Sequence, residues 1–190
     1  MFSLIFSRRY SMAHRLLSGG SPKCAVPHGH NETVTVKLKS TRPQRLDGGS
    51  NMVEPFERAK KQWHSWIDNH VDHAFQVSDR DPLIEVFARI EPEILPRLMV
   101  MPGDPTTELL AACFMAKLNA FLAADGGRLT CVEVRIEETP TNTVAFDGDP
   151  AQVIPAATGD DSWWWRADNS INDLLPGSDP VADSCASANA

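Results

Sequence analysis

Apolar and polar residues alternate in two stretches of this chain. In "TVTVKLK", Thr33 to Lys39, the residues Val34, Val36 and Leu38 fall on every second position, the repeat of a half-buried strand. "RLTCVEVRIEE", Arg128 to Glu138, sets Val132, Val134 and Ile136 against charged neighbours, and "NTVAF", Asn142 to Phe146, returns after a tight Pro-Thr turn to give a hairpin. Met1 to Ala13 favours an extended segment, and His14 closes a strand able to pair with the Thr33 strand.

Two other stretches carry helical spacing. "EPFERAKKQWHSWIDNH", Glu54 to His70, places Phe56, Ala59, Trp63, Trp66, Ile67 and His70 three and four apart, with Pro55 tolerated in the first turn. Asp104-Pro105-Thr106-Thr107-Glu108 offers a capping arrangement that opens the apolar run "LLAACFMAKLNAFLA". Between Ser78 and Asp104 the prolines Pro82, Pro92, Pro96 and Pro102 predict an irregular excursion holding one short helix around Leu83 to Ile90. The resulting order is strand, strand, helix, helix, strand, strand. It predicts an α+β fold with both helices on one face of an antiparallel sheet.

Composition adds a boundary and removes some function classes. Beyond about residue 148 the chain turns to Gly, Asp, Ser, Pro and Ala, which cannot bury enough apolar surface to order itself. Residues 1–148 are therefore read as the domain, and 149–190 as an acidic tail that is disordered or docked. Its "SWWWRADNSINDLLPG" stands apart, because three adjacent tryptophans are costly to leave in water and predict docking on the body or on a neighbouring subunit. Of the net charge of -7, most lies in residues 151–190, which hold six aspartates against one arginine. The body that remains has no electrostatic footprint for nucleic acid. No apolar run approaches the roughly 20 residues of a membrane span. The four cysteines, Cys24, Cys113, Cys131 and Cys185, form no CxxC pair, and "MFSLIF" is too short for a secretory leader, so a reduced cytoplasmic protein is expected. Cys113 and Cys131 lie on apolar patterns and are read as core residues.

Candidate chemistry gathers where the strands begin and end. Residues i and i+2 of a strand point to the same side, so His28 and His30 would present two imidazoles to one point, the local half of a metal site. The other reading is a pair of solvated histidines at a strand end. His14, on the pairing strand, supplies a third imidazole, and three neutral histidines with an open position describe a catalytic zinc ion. Cys24 would then stand near a cation that favours its thiolate. Asp72 beside His73 offers a carboxylate and an imidazole for one proton-transfer task, with His70 as the rival histidine. A carboxylate at Glu138 matches the two parallel N–H donors of a guanidine-like ring edge, as in guanine or pterin. Glu137 is its rival, but strand alternation sends the two to opposite faces.

Taken together, "YSMAHRL", Cys24 with "AVP" and "HGH", "VDHAF", "PTTELLA" and "EET", in that order over residues 1 to about 148, resemble the 6-pyruvoyl- and 6-carboxytetrahydropterin synthase family. The resemblance implies a tunnelling fold (T-fold): a four-stranded antiparallel sheet with two helices on one face, closing into an oligomeric barrel that stacks as a homohexamer with sites at subunit interfaces. It implies His14, His28 and His30 as zinc ligands and Cys24 as general base. Asp72 and His73 become the acid–base relay from the adjoining subunit, and Glu138 the pterin anchor, with Thr106, Thr107 and Glu108 lining that pocket. The implied substrate is 7,8-dihydroneopterin triphosphate, and the implied reaction is formation of 6-carboxytetrahydropterin. The alternatives are the 6-pyruvoyl branch and a non-catalytic pterin- or purine-binding barrel. The chain departs from the family pattern at Glu54-Pro55-Phe56, at Phe75-Gln76-Val77, in the long excursion and in the tail. Arg8, Arg9, Arg15 and Lys23 are the nearest cations for a triphosphate.

Overall fold

A computed structural model describes residues 2–18, 21–43, 45–155 and 161–174. Strand β1 (Ser3–His14) and strand β2 (His28–Ser40) run antiparallel in unbroken register from Ser3 opposite Lys39 to His14 opposite His28. The short helix α1 (Pro22–Ala25) lies in the segment that joins them. β5 (Leu129–Thr139) pairs antiparallel with β2, and β6 (Asn142–Phe146) with β5, so the predicted hairpin forms. Residues on the inward face follow strand parity: Tyr10 and Met12 on β1, Val34, Val36 and Leu38 on β2, Val134 and Ile136 on β5 are all buried.

Helix α2 (Phe56–Trp66) and helix α4 (Thr107–Ala124) cover the sheet. α2 buries Ala59, Trp63 and Trp66 as its spacing predicts, whereas Phe56, at its first turn, is half exposed. Its last turn widens into a π-helical turn, Ile67–Val71, closed by the Asp72 N–H donating to the Ile67 carbonyl five residues back. α4 is buried on nearly all sides. It is apolar and long enough by composition to cross a membrane, but 67% of it is buried here as the core helix. Its N-cap Thr106 accepts a hydrogen bond from the Leu109 N–H.

The expected four-stranded antiparallel sheet is corrected to six strands in the order β4-β3-β1-β2-β5-β6. The two additions come from β3 (Ala74–Ser78) and β4 (Leu98–Met101), which extend the β1 edge in parallel. Parallel strands buried on both faces show no alternation, so "AFQVS" and "LMVM" leave no period-two trace in the sequence. Between them the excursion forms α3 (Leu83–Ile90), where the one short helix is expected, and a 3-10 turn, Pro92–Arg97. Val77, Leu95 and Leu98 make a small second core there. Arg15 fixes this region to β1 by two bonds to the buried Asp81, at 2.7 and 2.5 Å.

The described residues beyond 148 pack on the rest of the structure. After α5 (Pro150–Val153), Trp163 and Trp164 enter the main core, and Trp163 stacks toward Trp66 with centroids 6.1 Å apart. The Trp163 indole donates to the Val100 carbonyl at 2.8 Å. Asn172 donates to the carbonyls of Leu95 and Leu98. Lys117 of α4, fully buried, donates to the Trp163 carbonyl at 2.9 Å and to Asp168 at 3.2 Å, with the rings of Trp66, Phe121 and Trp163 around it. Cys185 lies outside the described residues.

Candidate metal and heterocycle site

Strand parity puts His14, His28 and His30 on the inward face at one end of the β1–β2 pair, where His14 sits opposite His28 and Met12 opposite His30. One ring nitrogen of each lies within 4.8 Å of the others. The ring planes of His30 stand nearly perpendicular to those of His14 and His28, at centroid distances of 5.2 Å.

Backbone carbonyls determine which nitrogens are free. His14 Nδ1 lies 3.0 Å from the Pro105 carbonyl and His28 Nδ1 2.9 Å from the Val26 carbonyl. A carbonyl only accepts, so both Nδ1 atoms carry hydrogen, and in the neutral rings both Nε2 atoms are lone pairs. Those two Nε2 atoms face each other at 3.1 Å. Lone pairs at that distance repel unless a proton or a cation lies between them. Burial lowers the pKa of His14, the Pro105 carbonyl opposes this, and the neighbouring histidines lower it further. A divalent cation held between the two Nε2 atoms would relieve that repulsion. Two nitrogens bound tetrahedrally at a zinc–nitrogen distance of about 2.05 Å would lie about 3.4 Å apart, close to the observed spacing. The carbonyls of Pro105 and Val26 are placed where they would orient these imidazoles toward a metal ion.

Next to the triad on the same face lie Glu138 and Thr107. The Thr107 hydroxyl donates to Glu138 Oε1 at 2.8 Å. Glu138 is half-buried and follows Val134 and Ile136 in parity, while Glu137 is exposed on the other face. Pro105 touches His14 and Thr107 touches Glu138, so the start of α4 joins the two halves of the site. Thr106 is spent on capping, and Glu108 is exposed in the first turn.

A buried pair adjoins this group that the sequence reading did not single out. The Tyr10 hydroxyl donates to Glu32 Oε2 at 2.5 Å. Burial pushes the Glu32 carboxyl up to about 7, the Tyr10 hydroxyl opposes this, and the Glu138 charge adds to it. The legible signal was a glutamate at an inward position, between His30 and Val34.

Other candidates lie elsewhere. Cys24 is half-buried in α1, between His14 and His28 in sequence, with its sulfur 3.4 Å from the Ser21 hydroxyl, and it does not join the imidazole group. Asp72 and His73 form a pair, Oδ2 to Nδ1 at 2.9 Å, whereas His70 has no bond to Asp72. Asp72 accepts from the Ser11 N–H at 2.7 Å, and Ser11 has the opposite parity to Met12 and His14. Neither Asp72 nor His73 joins the imidazole group. Partial burial raises the Asp72 carboxyl, but the Ser11 N–H and His73 outweigh this and hold it below its ordinary value. His73 is exposed and has a φ of 62°, a strained conformation for a non-glycine residue. Of the cations considered, Arg15 is bound to Asp81 and Arg8 to Asp68, while Arg9 and Lys23 form no ion pair among the described residues.

A mixed sheet whose antiparallel strands β1, β2, β5 and β6 are backed by two helices is the architecture of the tunnelling fold, and here three imidazoles stand at one end of its covered face. The family model described as 6-pyruvoyl tetrahydropterin synthase matches residues 3–149. The chain belongs to that family. It is 29% identical over 135 residues to a probable 6-carboxy-5,6,7,8-tetrahydropterin synthase from Halobacterium salinarum, covering 71% of this chain and 79% of that one. It is 27% identical over 148 residues to the 6-carboxy-5,6,7,8-tetrahydropterin synthase of Bacillus subtilis, covering 76% and 84%. Among solved structures, 6-pyruvoyl tetrahydropterin synthase from Caenorhabditis elegans superposes with a TM-score of 0.53 at 26% identity, over 78% of this chain and 96% of that one.

Proposed function

We propose that this protein is a zinc-dependent lyase that converts 7,8-dihydroneopterin triphosphate to 6-carboxy-5,6,7,8-tetrahydropterin, a precursor in queuosine and 7-deazaguanine synthesis. The observation that carries this is the pair of imidazole lone pairs facing each other at 3.1 Å, on the same sheet face as the Thr107–Glu138 pair. The two relatives named as 6-carboxy synthases support the choice of branch.

In this reading His14, His28 and His30 hold the zinc, and Glu138 accepts the parallel N–H donors of the pterin edge while Thr107 keeps its carboxylate in place. Bound zinc supplies Lewis acidity that makes protons on carbons bearing the side-chain hydroxyls easier to remove. Cys24 removes them as general base. The Asp72–His73 pair, fixed to the backbone of Ser11, returns a proton to the ring of a substrate held by the neighbouring subunit, which requires a homo-oligomer, read as a hexamer. Thr106 and Glu108 line the pocket rim. The unpaired state of Cys24, Cys113 and Cys131 supports a reduced, cytoplasmic setting.

The test is one incubation of purified protein with 7,8-dihydroneopterin triphosphate, followed by mass analysis of the pterin product. A 6-carboxy product with acetaldehyde and triphosphate is expected. A 6-pyruvoyl product without acetaldehyde would establish the other branch, which the family description and the nematode relative favour. Tight pterin binding without turnover would leave a binding protein.

A further inference from the structure

Among the described residues, Glu32 beside the site and Gln76 opposite His14 each keep buried polar atoms without a partner, and Glu32 is the one on the face shared with Glu138. Glu32 is 1% exposed, its Oε2 takes the Tyr10 hydroxyl, and its Oε1 has no partner. Buried carboxylate oxygens are ordinarily filled by donors, so an empty one calls for an explanation. Its place in the sheet narrows the choice. On β2 it follows His30 on the inward face, one step further from the strand end. Across to β1 it pairs directly with Tyr10. Across to β5 the antiparallel register sets Thr33 opposite Glu137, so the next inward pair is Glu32 and Glu138. Glu32 therefore lies on the floor between the imidazole triad and Glu138.

This inference rests on the reading above, in which the triad end receives the substrate side chain and Glu138 the ring edge. The residue between them faces the middle of the ring. We infer that Glu32 is a second carboxylate of the heterocycle site, its free Oε1 accepting a ring N–H beyond the edge held by Glu138. That donor is N8–H, present in 7,8-dihydropterins and absent from fully oxidised pterins, whose N8 is a lone pair that would repel the oxygen. Glu32 thereby selects the reduced ring. A site built around an N–H rejects the analogue lacking it, because the buried acceptor is left without a partner.

The experiment measures binding of 7,8-dihydroneopterin and of neopterin to the zinc-loaded full chain in its native assembly, by calorimetry. Wild-type protein is expected to prefer the dihydro ring by roughly 10- to 100-fold, the range for a hydrogen bond to a charged group. Glu32→Leu is expected to bring the ratio near one, weakening the dihydro ligand and relieving the repulsion of neopterin, and Glu32→Gln, which can keep the Tyr10 bond and then turns its NH2 toward N8, to bring it to one or below. Tyr10→Phe, which leaves Oε1 in place, is expected to keep the preference. Equal affinity of wild-type protein for the two rings overturns the proposal without any variant. A preference that survives in folded, zinc-loaded Glu32 variants overturns it while leaving the pterin reading intact. Failure of wild-type protein to bind either ring defeats both.

Discussion

The two ends of α4 solve opposite problems with buried polar groups. At its C-terminal half Lys117 sits fully buried, yet its ammonium is bonded to the Trp163 carbonyl and Asp168 and faced by three aromatic rings. At its N-terminus the partners are incomplete: His14 and His28 turn Nε2 lone pairs toward each other, and Glu32 keeps an oxygen empty. A polar group completed by its own chain contributes structure, and one left open is available to a ligand. The comparison separates the two regions better than burial does, since both are mostly enclosed.

If that separation is right, substitutions should divide cleanly between chemistry and stability. The largest effect is expected from Cys24→Ala, with kcat falling by about 10² to 10⁴ through loss of the general base while zinc content and unfolding midpoint stay at wild-type values. A variant as active as wild type would remove Cys24 from the mechanism. At the other end, Trp163→Ala should cost about 3–5 kcal/mol in urea unfolding, as for other large core aromatics, without changing zinc affinity of the folded protein. A loss below about 1 kcal/mol would mean the tail is only loosely seated.

Lys117 sharpens the contrast through pH. Burial pulls its ammonium from 10.5 down to about 8, with Asp168 opposing. The unfolded chain keeps this proton up to the ordinary lysine range, so between those two values unfolding takes up a proton. Stability from this residue therefore rises with pH through that window, and the full cost of burying the charge stands below it. Wild type should gain on the order of 3 kcal/mol relative to Lys117→Met between pH 7.5 and 10.5, as read from paired urea titrations. A constant difference would show that the site titrates normally. The smallest effect belongs to Arg8, whose pair with Asp68 is exposed on both sides. Arg8→Ala should change stability by less than about 1 kcal/mol, and a larger loss would mark a role beyond that pair.

How far the sequence anticipated this follows from which signals have a period. Val34, Val36 and Leu38 announced β2, and the tunnelling-fold core with its helices stood where the patterns put it. β5 was legible only in part: the register slips between Lys37 and Leu38, so Cys131 takes a core place and Val132 is only half-buried. β3 and β4 carry no alternation, and the π-helical turn has no residue signature at all. The closeness of the three imidazoles depends on the β1–β2 register, which no single stretch encodes, although HxH parity pointed to it. Lys117 and Glu32 were missed because each is one charged residue within an apolar pattern, where spacing says what is buried but not what completes it.

The central claim is that three imidazoles on paired strands bind one ion. Zinc content of the purified full-length chain, measured beside folded His14→Ala, His28→Ala and His30→Ala variants, tests it most directly. One zinc per chain in wild type and a large loss in each variant are predicted. Wild-type protein that binds no zinc after reconstitution, or variants that hold as much as wild type, would contradict it.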